Sequence, residues 1–241
     1  MPYILLGEPA YESFGSALEG RGFIPVPLPM EKRLCKTVDT HADTLIFNHE
    51  NTLIANRDYA SGLPSHIAAG ILRVSEAPTG GYPSDTVFNA LTVGRFMFAR
   101  MASLAPSVKS YAVSAGLIPV NVNQGYAKCS TLALSSSRAA VTADEGMAKA
   151  MESVGITVLR IAPGGIALKG CEYGFIGGAS FVYEPKCCCS LSGHERYVYF
   201  FGNIRRHPDS EKILAFIHRF GYKPICLDGE LCDFGGAVII E

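Results

Sequence analysis

No hydrophobic run in the sequence is long enough to cross a membrane, although 48% of its 241 residues are apolar. A spanning helix needs about 18–20 consecutive apolar residues. The first residues, MPYILLGEPAYE, contain neither a basic leader nor an extended apolar stretch. These absences predict a soluble, cytoplasmic protein with no membrane partner.

The sequence also lacks an excess of charge of one sign. It has 21 basic and 22 acidic residues, interspersed along the chain, and a formal net charge of −1. Such a balance gives no sign of the basic surface that binds nucleic acid or anionic lipid. No G-x-G-x-x-G follows a strand-like run, which disfavours dinucleotide binding. We therefore expect a small-molecule ligand, no cofactor and no nucleic-acid partner, while the oligomeric state stays open.

The cysteines are better explained as free thiols than as a disulfide framework. There are eight of them, and no secretory signal accompanies them. Three are consecutive, Cys187, Cys188 and Cys189. Adjacent side chains of an extended segment point to opposite faces, so this run makes a poor chelate. We predict no metal site, and a thiol or metal sensor built on these three residues is a weaker alternative.

A weak internal repeat organises the chain, which no linker or low-complexity tract divides. Five times a helix-like stretch ends at a glycine that is followed by a short strand-like run, at Gly22, Gly70, Gly116, Gly155 and Gly221. Glycine fits the left-handed position that closes a helix. Ahead of most helices stand two strand-like runs, such as TLIF then NTLIA, and TVFNA then GRFMFA. Each unit therefore reads strand, strand, helix, strand.

Two of the predicted helices carry recognisable signals. TADEGMAKAMESVG begins with Thr142 and Glu145 in capping-box spacing, and HPDSEKILAFIHRFG has an acidic first turn and an apolar stripe. The C-terminal GGAVIIE offers a strand without a helix, and the N-terminus offers the strand YILLG with a helix after it. Joining the two ends completes a fifth unit.

The repeat predicts an α/β fold, a single propeller domain over residues 1–241 with five units in pseudo-five-fold symmetry. Repeat spacings of this size are typical of propellers and solenoids. The last unit is closed by the two termini. The approximate units are 1–38 with 235–241, 39–82, 83–126, 127–174 and 175–234.

In such a ring, the residues just before the first strand of each unit gather around one central channel. The candidate site residues at these positions are His41, Asp43, Asp85, Lys128, Cys129, Ser130, Gly177, Gly178, Gly235 and Gly236. Polar groups that converge in one concavity are the usual mark of an active site.

Two motifs resemble those of a known superfamily. HADTLIF matches a His-x-Asp motif before a strand, and AKCSTLAL matches a nucleophilic Cys followed by Ser or Thr and a strand. Both resemble the guanidine-group-modifying, or pentein, superfamily of deiminases, dimethylarginine hydrolases and amidinotransferases, whose fold is a five-fold propeller. GYAKCST, GFIGGAS and DFGGAVII resemble a bacterial domain-of-unknown-function branch, which brings no substrate with it.

The resemblance implies a role for each motif residue. Cys129 would attack a guanidine carbon as the thiolate, activated by His41 or Lys128. His41 would act as general acid and base. Asp43 would accept hydrogen bonds from the guanidinium or orient His41, and Asp85 would be a second acceptor. Lys128, Ser130 and the two Gly-Gly pairs would bind substrate.

The chain departs from the deiminases at two elements. Their Glu-Gly-Gly-Asp is replaced here by Phe234-Gly235-Gly236-Ala237, with Asp233 one residue earlier, and their Arg-Asp element has no clear match. We therefore keep two hypotheses. The first is a hydrolase or amidinotransferase that uses a thiouronium intermediate, and the second is a non-catalytic binding protein, in which Cys129 is simply buried.

The remaining histidines and carboxylates have simpler interpretations. Asp43 and Asp85 could each belong to a turn. His49 is expected at an exposed hairpin tip. His194 and His207 are expected in solvated loop or helix-start positions.

Overall fold

The computed structural model describes residues 1–185 and 195–241, which form five three-stranded sheets. The first sheet contains β1 (Tyr3–Gly7), β2 (Ile24–Leu28) and the last strand of the chain, β15 (Val238–Ile240), with helix α1 (Glu8–Glu19). The second contains β3 (Ile46–His49), β4 (Thr52–Asn56) and β5 (Ile71–Val74), with short helices α2 (Ala42–Leu45), α3 (Arg57–Ser61) and α4 (Ser65–Ala68).

The other three sheets repeat the same order of elements. The third contains β6 (Leu91–Val93), β7 (Phe96–Ala99), α5 (Pro106–Ser114) and β8 (Ile118–Asn121). The fourth contains β9 (Thr131–Leu134), β10 (Ala139–Thr142), α6 (Glu145–Ser153) and β11 (Thr157–Arg160). The fifth contains β12 (Ser180–Tyr183), β13 (Arg196–Phe200), α7 (Ser210–Arg219) and β14 (Tyr222–Cys226). None of the described helices combines the length and the apolar character needed to cross a bilayer.

Strand pairing follows one pattern in all five sheets. The first strand runs antiparallel to the second, and the second runs parallel to the third. In the sheet built from both termini, β15 takes the place of the first strand: Val238 pairs with Leu5 of β1, and β1 runs parallel to β2. The predicted set of elements, three strands and a helix per unit, is therefore confirmed for all five sheets.

Four hydrophobic core clusters are each shared by two sheets that follow one another in the chain. The clusters join the first sheet to the second, the second to the third, the third to the fourth and the fourth to the fifth. A fifth cluster joins the fifth sheet back to the first, and there the ring of Phe23 packs edge-on against Phe181 and Tyr199. Among the described residues, each sheet therefore shares its buried core with two other sheets.

The starts of two predicted strands were wrong. In TLIF the first two residues belong to α2, so β3 begins at Ile46. TVFNA, residues 86–90, is not a strand at all, and β6 begins only at Leu91. The backbone there turns instead, with the Thr86 N–H donating to the Pro83 carbonyl and the Asn89 N–H to the Thr86 carbonyl. The side chain of Phe88 extends from this turn and is fully buried. Its burial explains why the run is apolar.

The helix ends differ from the predictions at two places. Gly22, Gly116, Gly155 and Gly221 all have positive φ, as expected, but Gly70 does not. Helix α6 is capped by Asp144, whose Oδ1 accepts from the Met147 N–H at 2.8 Å. Thr142 instead lies in β10, where its hydroxyl donates to the Ser130 carbonyl. The predicted capping box is therefore wrong.

Candidate active site

A thiol, an imidazole and a carboxylate from two different units meet in the interior. His41 is the N-cap residue of α2, and Asp43 lies in its first turn. Cys129 lies two residues before β9. It belongs to a turn that is closed by a hydrogen bond from the Ser130 N–H to the Tyr126 carbonyl. The donor atoms of His41, Asp43 and Cys129 lie within 4.8 Å of one another, and all three residues are buried.

The predicted glycines lie where the backbone passes close to these side chains. A Cβ on Gly177 would lie 2.3 Å from the Lys128 carbonyl oxygen. A Cβ on Gly235 would lie 2.3 Å from the Cβ of His41. Gly235 and Gly236 also have positive φ, which side chains rarely adopt. The two Gly-Gly pairs therefore make room for the cluster.

Asp233 supplies a second carboxylate that the sequence analysis did not select. Its Oδ2 accepts from the Phe175 N–H at 2.8 Å, and its Oδ1 accepts from the Gly235 N–H at 2.9 Å. Oδ1 also lies 3.9 Å from Nδ1 of His41. Asp233 is almost completely buried, and it leaves so little space that only glycine fits at position 178.

Asp85, which was predicted to be the second carboxylate, has a different partner. Its Oδ2 accepts a hydrogen bond of 2.5 Å from the Tyr126 hydroxyl. Burial raises the pKa of Asp85, and the bond from Tyr126 lowers it. The prediction counted back from TVFNA, whereas β6 begins five residues later, at Leu91.

The correct start of β6 brings Asn89 to the site instead. Its side-chain Nδ2 donates to Sγ of Cys129 at 3.1 Å and to the backbone oxygen of Asp43 at 3.2 Å. Its Oδ1 accepts from the backbone N–H of Lys128 at 2.8 Å. Asn89 and Cys129 each stand two residues before a first strand, so counting back from Leu91 would have identified Asn89.

Lys128 and Ser130 flank the cysteine and point to different partners. The Lys128 ammonium donates to the side-chain oxygen of Asn48. Burial lowers the pKa of Lys128, while Asp43 and Cys129 raise it. The Ser130 hydroxyl donates to the Ala127 carbonyl at 3.1 Å, so it stabilises the turn that carries Cys129.

Burial keeps the cluster from ionising freely. It raises the pKa of Asp43 to about 6, an effect that Asp233 adds to and that His41 and Lys128 oppose. Burial, followed by the carboxylates Asp43 and Asp233, raises the pKa of the Cys129 thiol well above its usual value. At neutral pH the thiol is therefore protonated in this structure, while Asp43 is mostly ionised.

A cavity approaches the cluster from the side of the strands. It has a volume of about 210 Å³ and is lined by Lys128, Asn48, Gly177 and Gly236, among others. A second cavity of about 530 Å³, near His49, shares several lining residues with it. His41, Asp43 and Cys129 line neither cavity. On the side of the loops, the Tyr126 ring packs near those of Tyr82 and Phe175.

The same cluster could hold a metal ion by its donor types. A thiolate, an imidazole and a carboxylate are all ligands that zinc accepts, and the three donor atoms are close together. The predicted absence of a metal stays a prediction.

The other residues singled out from the sequence lie away from the cluster. His49 ends β3, is half-buried, and its Nδ1 lies 2.8 Å from the Tyr111 hydroxyl. His207 is buried, and its Nδ1 accepts from the Asp209 N–H, so the prediction of a solvated position was wrong. His194 and the three consecutive cysteines, Cys187, Cys188 and Cys189, lie outside the described residues.

Comparisons with known proteins bear on the fold. A solved structure of dimethylarginine dimethylaminohydrolase, a His-to-Gly variant in an adduct with S-methyl-L-thiocitrulline, is similar with a TM-score of 0.53. The two sequences are 11% identical over 94% of this chain and 92% of that chain. At this identity the likeness shows the fold alone.

Sequence comparison gives a family but no activity. No curated protein matches the chain. A family model does match, over residues 5–238, which is nearly the whole length. The chain therefore belongs to a family of unknown function, DUF6873.

Proposed function

We propose that this protein is a cysteine-dependent hydrolase that acts on the central carbon of a guanidine or amidine group in a small molecule. The observation that carries the proposal is the buried cluster of Cys129, His41 and Asp43, whose donor atoms lie within 4.8 Å. The likeness of fold to a dimethylarginine dimethylaminohydrolase is consistent with it. An amidinotransferase would differ in the final acceptor, which would be an amine in place of water.

We infer that the five sheets form one closed propeller domain with the approximate units given above. The five core clusters support this, because they join the sheets in cyclic order and the last joins the fifth sheet to the first. Around such a ring, the residues that precede the first strands share one axis. That arrangement accounts for the meeting of Cys129 with His41 and Asp43, which are distant in sequence.

Asp43 is the group that would bind the planar cation. Its Oδ2 is buried and has no hydrogen-bond partner among the described residues, so it is free to accept an N–H from a guanidinium or amidinium. A cation bound there would lower the pKa of both Asp43 and Cys129, because it stabilises their charged forms. Ligand binding would thus favour the thiolate, which burial and the two carboxylates disfavour.

The chemistry would use one thiol and one imidazole in two steps. His41 accepts the thiol proton, and the thiolate of Cys129 attacks the central carbon to form a C–S bond. The C–N bond then breaks, and the leaving amine takes the proton from His41. Water attacks the resulting thiouronium carbon and gives one proton to His41, the C–S bond breaks, and the ureido or amide product leaves after its hydroxyl group releases the second proton of the water to solvent. The thiolate then recovers its proton from His41.

Asp233 would stabilise the protonated form of His41. Its carboxylate is fixed by two backbone N–H groups and faces Nδ1 of His41 at 3.9 Å. This separation is too long for a hydrogen bond, so the carboxylate would act through its charge, which stabilises the imidazolium that forms during proton transfer. In this assignment Asp43 serves the substrate and Asp233 serves the histidine.

Alkylation by 2-chloroacetamidine and by its neutral analogue, 2-chloroacetamide, tests the proposal. Peptide mass spectrometry resolves Cys129 from the other seven cysteines. We expect the cationic reagent to label Cys129 at least tenfold faster than the neutral one, and we expect Asp43→Asn to abolish this preference. Equal rates for the two reagents in the wild-type protein would contradict amidine recognition.

One observation favours the second candidate, a non-catalytic binding protein. Cys129 is only 2% exposed, and its pKa is raised well above the usual value, so neither access nor ionisation favours reaction in this structure. If Cys129 resists both reagents while the exposed cysteines react, the binding function becomes the better assignment.

A further inference from the structure

The side chain of Asn89 contacts both the sulfur and the main chain of the candidate active site. Its Nδ2 has two hydrogens, and two acceptors lie within reach: Sγ of Cys129 at 3.1 Å and the backbone oxygen of Asp43 at 3.2 Å. Asn89 comes from the third sheet, Asp43 from the second and Cys129 from the fourth. The amide, which belongs to the third unit, therefore connects the second unit, with Asp43, to the fourth unit, with Cys129.

The orientation of this amide is fixed by its other end. Oδ1 accepts from the backbone N–H of Lys128 at 2.8 Å. If the amide were flipped, its NH₂ group would face the Lys128 N–H, and its oxygen would face the carbonyl of Asp43, so both contacts with the backbone would become unfavourable. The donor side of Asn89 therefore points at Sγ, and the backbone of the residue before Cys129 holds it there.

The electrostatic surroundings of Sγ give this donor its importance. Burial and the carboxylates of Asp43 and Asp233 all oppose the thiolate and raise the pKa of Cys129, whereas the hydrogen bond from Asn89 lowers it. Asn89 is almost completely buried, so water does not weaken the bond. A hydrogen bond to a charged acceptor is stronger than one to a neutral acceptor, so the donor acts chiefly on the ionised sulfur.

We propose that Asn89 is a catalytic residue whose side-chain amide donates a hydrogen bond to the Cys129 thiolate and holds it beside Asp43. This inference rests on the proposed function, since it assigns the group that stabilises the nucleophile. The inference goes beyond the proposed function in one respect. Asn89 would stabilise the thiolate of Cys129 whichever electrophile reaches it, with or without an amidine group.

The pH dependence of Cys129 alkylation by neutral 2-chloroacetamide tests the inference in the full chain. Asn89→Asp keeps the shape of the side chain and an oxygen for the Lys128 N–H, but it replaces the donor to Sγ with a carboxylate. Asn89→Ala removes the donor without adding charge. We expect the midpoint of the pH profile to rise by at least one unit in both variants, and the rate at pH 8 to fall about tenfold, since one pH unit changes the thiolate fraction tenfold below the midpoint.

Asn121→Asp is the matched control. Asn121 is exposed and accepts from the Met101 N–H, so this change adds the same charge away from the cluster. The absorbance of the thiolate near 240 nm, compared with the Cys129→Ser counterpart of each protein, gives the same midpoint without a reagent. Circular dichroism checks that each variant is folded.

The outcomes separate the inference from the proposed function. A raised midpoint in both Asn89 variants, with an unchanged Asn121→Asp, supports the inference even if the protein shows no preference for the amidine reagent. An unchanged midpoint with a uniformly altered rate would mean that Asn89 controls only access to the sulfur, and it would overturn the inference. An equal shift in Asn121→Asp would overturn it too.

Discussion

Asp43 shows how a single buried residue links the site to stability. Its carboxylate ionises near pH 6 in the folded chain, but an unfolded chain releases the same proton near the ordinary value of 3.8. Between these two values the unfolded state loses its proton first, so rising pH favours unfolding. The stabilising contribution is complete below pH 3.8 and is lost as the pH rises through about 6.

Asp43→Asn should therefore become more stable, relative to the wild type, as the pH rises. From the shift in pKa, the difference in unfolding free energy between variant and wild type should move by about 2–3 kcal/mol in favour of the variant between pH 3.5 and pH 7.5. Urea unfolding at several pH values measures it. Asp228→Asn, at an exposed carboxylate, should give a much smaller change. A difference for Asp43→Asn that does not depend on pH would contradict the assignment.

Three members of the buried cluster could be predicted from the sequence, but two neighbouring polar residues could not. His41, Asp43 and Cys129 could be selected because their types and short motifs suggest chemistry. Asn89 and Asp233 could not be selected so easily. Asn89 was hidden in TVFNA, an apolar run with β-branched residues that resembles a strand but forms a turn. Asp233 stands outside the Gly-Gly pair and reaches His41 only because the backbone at Gly178 and Gly235 leaves space for it.

At the level of elements, the Gly177–Gly178 turn before β12 supports Asp233. A Cβ at position 178 would lie 1.9 Å from Oδ1 of Asp233, and the Gly178 N–H also donates to the Cys129 carbonyl. Any side chain there must push the carboxylate away from the N–H groups of Phe175 and Gly235. The turn is therefore tied to both the backbone of Cys129 and the carboxylate that faces His41.

Gly178→Ala should be strongly destabilising. We expect a loss of about 2–4 kcal/mol in unfolding free energy, because a buried charge loses hydrogen bonds and the packing is strained. Thermal and urea unfolding followed by circular dichroism will measure it. Gly81→Ala is the control, since a Cβ at that position would meet nothing within 4 Å. If the two variants are equally stable, the turn can accommodate a Cβ at position 178, and the expected clash with Asp233 is wrong.

Helix α6 depends on a cap that differs from the predicted one. Asp144 accepts from the Met147 N–H and from the Gln124 side chain, so one carboxylate both caps the helix and ties it to the loop before Cys129. Asp144→Ala should cost about 1–2 kcal/mol of unfolding free energy, whereas Asp144→Asn, which can still cap, should cost less than half of that. Chemical denaturation compares the two. If both variants lost the same unfolding free energy, the stabilisation by Asp144 would come from its charge and not from capping.

The elements that the sequence predicted correctly share a physical reason. Four of the five glycines that follow helices have positive φ, and the strands after them begin within three residues. Local chemistry fixes such positions, because few residues other than glycine adopt this conformation. Gly70 fits the sequence pattern equally well but is not among the glycines with positive φ, and helix α4 ends in a right-handed turn at Ala69. In TVFNA the apolar Phe88 is buried from a turn, so the local pattern alone is insufficient there.

At the scale of the whole molecule, the C-terminal strand is essential to the shared cores. Val238 is completely buried, pairs with Leu5 and belongs to the cluster between the first and second sheets. Ala237 belongs to the cluster between the fifth and first sheets. Five residues at the end of the chain therefore complete two of the five clusters, and β1 would become an open edge without them.

Removal of residues 237–241 should abolish the cooperative unfolding transition. Burial of one valine side chain contributes about 1.5–3 kcal/mol, and β15 adds its backbone pairs with β1 and two partly buried isoleucines. The sum is comparable to the roughly 5–15 kcal/mol that stabilises a typical domain. Near-ultraviolet circular dichroism of the tyrosines and far-ultraviolet circular dichroism should both lose their sharp thermal transition in the truncated chain.

Peptide complementation then distinguishes a missing strand from general damage. A synthetic peptide of residues 233–241, added to the truncated chain, should restore a cooperative transition whose midpoint rises with peptide concentration, because binding stabilises only the folded form. A scrambled peptide of the same composition should have no effect. If the truncated chain unfolds as cooperatively and at the same temperature as the full chain, the first sheet does not need β15, and the proposed closure of the ring by the two termini is wrong.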